Sequence, residues 1–60
     1  MTVYTETVIH GAPTYQIAII DVSEGVRVTG RIEGVRVAIG DAVVELEARD
    51  GVRYFSGLLR

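Results

Sequence analysis

The chain contains a single histidine, His10, together with eight Asp and Glu residues and six basic residues, all of them Arg. A lone His serves as a general base only beside a nucleophile. Cys is absent, and the hydroxyls nearest in sequence are Thr7 and Thr14, across a Gly11-Ala12-Pro13 break. A structural role at a strand end is expected for His10. With one His and no thiolate, a metal would have only carboxylates on separate turns, so no metal site is expected. Glu24, Glu33, Asp41 and Asp50 each adjoin a glycine, the composition of solvated turns. Glu45 and Glu47 alternate with Val44 and Leu46, as on the wet face of a strand. A glycosidase-type pair needs two carboxylates converging in a cleft, and 60 residues offer no evident cleft. Gly25, Gly30 and Gly34 match neither a P-loop nor a dinucleotide fingerprint, and no helix start follows them. The expectation is a protein that is not an enzyme and carries no cofactor.

One group of residues has a spacing with binding chemistry in it. Tyr15, Ile17 and Ile19 alternate along one expected strand, and Arg27, Thr29 and Arg31 along the next. On paired strands these six share a face. An aromatic platform flanked by guanidinium groups suits a nucleobase, or the adenine and phosphates of a coenzyme A. The competing expectation is that the apolar members bury against another part of the chain or a second subunit. Ile17-Ala18-Ile19-Ile20 is apolar on both faces, and a five-stranded sheet has little with which to cover both. A homo-oligomer is therefore expected.

The elements that must position this face follow from composition. Val and Ile make up 16 of 60 residues, and such branched side chains fit a pleated strand. No stretch has apolar residues at helical spacing between proper caps. Gly-bearing turns recur instead. Glu24-Gly25-Val26-Arg27-Val28 is repeated as Glu33-Gly34-Val35-Arg36-Val37, and Asp50-Gly51-Val52-Arg53-Tyr54 is a variant. Their unequal spacing points to reuse of turn chemistry and not to an internal repeat. The expected strands are Val3–His10, Tyr15–Val22, Val26–Glu33, Ala42–Arg49 and Val52–Ser56, with a short extended piece over Val35–Ile39. Ser23-Glu24-Gly25 joins the second and third strands, and Asp50-Gly51 the fourth and fifth.

These turns set registers. Val22 should face Val26, Ile20 face Val28, Ala18 face Gly30 and Gln16 face Ile32, forming an apolar side. That side thins at Ala18 and Gly30, where a strand can bend or another group approach. In the second hairpin Leu46 should face Phe55, with Val44 and Ala42 on the same side. A one-residue slip would exchange every face. Residues 1–60 are read as a single all-β domain, a small five-stranded antiparallel barrel of the OB type. Closure protects its sheet edges, and the helix between strands three and four is expected to be absent or one turn long.

At this point a family resemblance enters. Thr7-Val8-Ile9-His10 with Ala12-Pro13, the segment Tyr15-Gln16-Ile17-Ala18-Ile19-Ile20-Asp21-Val22, and Glu24-Gly25-Val26-Arg27-Val28-Thr29-Gly30-Arg31 resemble the acyl-CoA-associated OB-fold domain once catalogued as domain of unknown function 35. Val37-Ala38-Ile39-Gly40-Asp41-Ala42-Val43-Val44-Glu45-Leu46 resembles that family's I-G-x-x-V stretch. Longer members of the family join a zinc ribbon to the OB domain and serve as accessory subunits of thiolase-type and other acyl-CoA enzymes. The ribbon is missing here, since this sequence holds no Cys. The resemblance therefore implies an OB part only, a protein partner that is an acyl-CoA enzyme, and contact with acyl-CoA.

The expected function is a non-catalytic interaction module that docks on such an enzyme or oligomerises. The alternative is a single-stranded nucleic-acid-binding OB domain. That reading needs a basic field. The chain instead has net charge −2 and no Lys, so Arg27, Arg31, Arg36 and Arg53 would have to cluster. A hydrophobic content of 48% argues against disorder. No apolar run reaches membrane-spanning length, and Met1-Thr2-Val3-Tyr4-Thr5-Glu6 lacks a signal peptide's basic start. A cytoplasmic protein without membrane association is the expectation.

Overall fold

A computed structural model describes residues 1–58 of the chain. Among the described residues every regular element is a strand: β1 Thr2–Ile9, β2 Tyr15–Ser23, β3 Val26–Ile32, β4 Val43–Glu45 and β5 Tyr54–Gly57. They form one sheet in the order β1-β2-β3-β5-β4. The first three lie within a residue of their expected ends at each terminus. Their alternation explains this. Gln16, Ala18 and Ile20 are buried along β2, while Tyr15, Ile17 and Ile19 between them are half-exposed.

The β2–β3 register is the expected one from Gln16 opposite Ile32 to Asp21 opposite Arg27. At the turn it departs: Ser23, not Val22, pairs with Val26, across a bulge. Extra residues beside a turn are where bulges form, and they sharpen the local twist.

The expected all-β, five-stranded and mostly antiparallel OB-type sheet is present, and two details of it differ from the expectation. First, β3 and β5 run parallel, with Arg31 opposite Tyr54 and Ile32 opposite Phe55. The chain between them is long enough to cross the molecule and return, as a parallel pair requires. Second, the sheet is not closed by a strand ladder between β4 and β1. A short seam bridges that gap. Val3 N–H donates to the Asp41 carbonyl at 2.9 Å, Gly40 N–H to the Val3 carbonyl at 2.8 Å, and Val43 N–H to the Met1 carbonyl at 2.9 Å. No helix stands between β3 and β4 among the described residues, and the extended piece expected over Val35–Ile39 forms no strand.

The second hairpin corrects another expectation. Its turn is as read: Arg49 and Val52 bridge, and Asp50 and Gly51 both have positive φ, 52° and 77°. That is the backbone twist a two-residue hairpin loop demands. Farther from the turn the register slips by one. Glu45, not Leu46, stands opposite Phe55, and β4 is only Val43–Glu45. Leu46–Ala48 contribute one residue more than the facing strand can match, and such an insertion exchanges faces. Val43 is therefore buried and Val44 exposed.

The core consists of Val3, Ala18, Ile20, Ile32, Val37, Val43 and Phe55. Phe55 fills the thin place beside Gly30. A Cβ on Gly30 would run into the Phe55 ring, so only glycine leaves room for it. One core polar group does structural work that the sequence reading missed. The buried Gln16 amide donates from Nε2 to the Glu6 carboxylate and to the Val37 carbonyl, both at 2.8 Å. Its Oε1 accepts the Val37 N–H at 3.0 Å. Gln16 thus pairs with the backbone of Val37 much as a strand would, and it seats the 34–42 loop on the core.

Candidate functional site

The six face residues lie where their register places them. Ile17 stands opposite Arg31 and Ile19 opposite Thr29. On the other flank β1 sets Ile9 beside Tyr15, Thr7 beside Ile17 and Thr5 beside Ile19. Ile19 thus lies between Thr5 and Thr29, and Ile17 between Thr7 and Arg31.

The six do not make one site. At one end Arg27 is engaged by its neighbours: its Nε donates to Asp21 at 2.7 Å, and its guanidinium lies 3.9 Å from the centre of the Tyr4 ring. Tyr4 is the extra residue of a β1 bulge, which the sequence did not signal. At the other end Arg31 lies 4.3 Å from the Tyr15 ring and makes no ion pair among the described residues. Tyr15, Ile17, Thr29 and Arg31 wall a cleft of about 370 Å³, whose far side is the hairpin residues Gly51, Val52 and Arg53.

A second cleft, about 390 Å³, shares Tyr15 and Arg31 and adds Glu33, Arg36, Arg49 and Tyr54. Arg49 donates to Glu33 at 2.6 Å and lies 4.1 Å from the Tyr54 ring centre. That hydrogen bond from Arg49 holds the Glu33 carboxyl below its ordinary value. Arg53 grips Glu45 through two bonds, 2.6 and 2.8 Å, and lowers that carboxyl likewise. The arginines that converge are therefore Arg31, Arg36 and Arg49. Arg27, Arg31, Arg36 and Arg53 do not gather in one cluster: Asp21 holds Arg27 at the far end of the face, and Arg53, paired with Glu45, lines the neighbouring cleft beside Arg31. Arg49 and Tyr54 are not among the six face residues read from the sequence. They flank the Asp50-Gly51 turn, and its hairpin signal could have placed them on this side.

A third depression differs in chemistry. Val35, Val37, Ala42 and Leu58, with Arg36, Asp41 and Ser56 among them, line a groove of about 690 Å³ between the 34–42 loop and the end of β5. Val35 is 83% exposed and Leu58 52%, and Ile39 in the same loop is 66% exposed. The loop is held in shape by its own bonds: Ala38 N–H donates to the Asp41 carboxylate at 2.8 Å, and Asp41 N–H to the Ala38 carbonyl at 3.0 Å. Asp41 is thus a turn-closing residue.

His10 is exposed just beyond β1. Among the described residues no group of three or more His, Cys, Asp and Glu side chains converges. No helix of the structure is long and apolar enough to cross a membrane.

A family model described as "ChsH2, C-terminal OB-fold domain" matches residues 2–49. The chain belongs to that OB-fold family, which bears out the resemblance read from the sequence in its OB part. No curated protein matches the chain. No solved structure matches it either.

Proposed function

We propose that this domain is a non-catalytic docking module that attaches to an acyl-CoA enzyme subunit through the groove between the 34–42 loop and β5. The observation that carries the reading is the exposure of Val35, 83%, on a loop that hydrogen bonds hold rigid beside Leu58 and Ala42. A single exposed apolar residue means little, but several lining one concavity mark an interaction surface. The family description supports the same reading, since it puts this kind of domain at the C-terminus of ChsH2. The acyl-CoA character of the partner rests on the family resemblance.

The nucleic-acid alternative has less support. The net charge is −2, and Arg27, Arg49 and Arg53 each face a carboxylate. Phosphate neutralisation supplies most non-specific affinity for nucleic acid.

The test is affinity co-purification with wild-type bait and with Val35→Asp, whose folding is checked by circular dichroism. Retention of a thiolase-type or other acyl-CoA enzyme chain by the wild type alone is expected. Equal retention by both baits overturns the groove assignment. Light scattering supplies a second outcome: a stable homodimer dissociated by Val35→Asp would give the groove to a second copy of this chain.

A further inference from the structure

We infer that the cleft walled by Tyr15, Arg31, Arg36, Arg49 and Tyr54 is a binding site for a small organic diphosphate. The inference does not depend on the docking groove, although Arg36 lines both depressions.

Charge is the first argument. The chain as a whole carries net charge −2, yet this cleft collects three of its arginines against one carboxylate, Glu33. Arg49 satisfies Glu33 at 2.6 Å. Arg31 and Arg36 make no ion pair among the described residues, and Arg31 acts on Glu33 only through its field. Two positive charges are thus left over, and they match a group bearing two or more negative charges.

Geometry is the second argument. Arg31 lies 4.3 Å from the Tyr15 ring centre and Arg49 4.1 Å from that of Tyr54. Stacking engages the face of a guanidinium and leaves its N–H edge free. That edge is the part that grips a phosphate with two parallel hydrogen bonds. The rings also restrain long side chains that would otherwise lose rotamer freedom on binding. Arg36 is placed by the 34–42 loop, which Gln16 ties to the core through Val37.

Size and composition are the third. The cleft measures about 390 Å³, within the range of small-molecule sites. The phenol hydroxyls of Tyr15 and Tyr54 are further donors to phosphate oxygens, and their rings give a planar substituent a surface to lie against. A long polyanion would need more unpaired cations along a track than these two.

The experiment is a titration of the isolated domain followed by amide NMR, with ADP, inorganic pyrophosphate, adenosine and a single-stranded oligothymidylate as probes. ADP is expected to bind saturably and to shift the resonances of Arg31, Glu33, Arg36 and Tyr54, more tightly than pyrophosphate and at least tenfold more tightly than adenosine. Arg36→Gln lies on an exposed loop and leaves the fold intact; it should weaken ADP about tenfold, the worth of one charge-assisted contact. Arg31→Gln should do the same, and Arg27→Gln, at the far end of the face, should change nothing. The inference is overturned if adenosine binds as well as ADP, if Arg27→Gln weakens binding as much as Arg36→Gln, or if oligothymidylate binds more tightly than ADP. No partner protein is present in this titration, so its failure leaves the docking reading standing, and the converse holds.

Discussion

The two halves of this molecule are held together by different means. β1, β2 and β3 are strands of 8, 9 and 7 residues, paired along nearly their whole length. β4 and β5 have 3 and 4 residues, and long loops connect them to each other and to β3. The first half rests on backbone ladders. The second has short ladders and scattered backbone bonds, and leans besides on a few side chains: Phe55 under Gly30, Gln16 under Val37, and the Arg49–Glu33 and Arg53–Glu45 pairs. The candidate docking groove is built by the second half, and the diphosphate cleft lies where the two halves meet. Loops on a rigid scaffold are the usual carriers of recognition, because they can vary without loss of the fold.

Substitutions sharpen this comparison, beginning with the largest effect. Phe55→Ala empties the centre of the second half and should cost about 3–5 kcal/mol, enough to unfold a domain this small. Urea denaturation checks it. Gln16→Leu keeps the volume but strands the Val37 N–H and C=O. A loss of about 2–3 kcal/mol is expected from those unpaired groups. Amide exchange is the sharper readout. The 34–42 loop should lose protection while β1–β3 keep theirs; uniform acceleration through all strands would dissolve the distinction between the halves. Gly30→Ala drives a methyl into the Phe55 ring, so a loss of about 1–3 kcal/mol is expected, read as a lower denaturation midpoint.

The smallest effect is that of pH. Glu33 and Glu45 have folded-state values below the ordinary 4.5, each because an arginine donates to it. The folded chain therefore holds these protons less tightly than the unfolded chain. The contribution of both pairs is complete above 4.5 and is lost as pH falls through the lowered values. Both pairs are exposed, so the fall in thermal midpoint should be slight, and Arg49→Gln should reduce it further.

The same comparison explains what could be read from the sequence. The β2–β3 register follows from local signals, a short Gly-bearing loop and strict alternation, and Ile17, Ile19, Thr29 and Arg31 fall where that pattern places them. The thin place at Gly30 was legible too, although the sequence does not say that Phe55 fills it. The second half obeys longer-range rules. A two-residue turn at Asp50-Gly51 commits only its own pair, and one unmatched residue in Leu46–Ala48 then buries Val43 in place of Val44. Which arginines remain unpaired depends on folding Glu33 beside Arg49 and Glu45 beside Arg53, contacts that no spacing rule reports. The role of Gln16 was hidden for a similar reason, since its partner Val37 lies in a loop without periodicity.

The central claim is that partner recognition belongs to the half built of short strands and loops. Amide exchange of the domain, free and bound to the acyl-CoA enzyme proposed as its partner, tests this most directly. The account predicts slowed exchange in residues 34–42 and at Ser56, Gly57 and Leu58, with Ile17, Ile19 and Thr29 unchanged. New protection confined to Ile17, Ile19 and Thr29, with the 34–42 loop still exchanging freely, would contradict it.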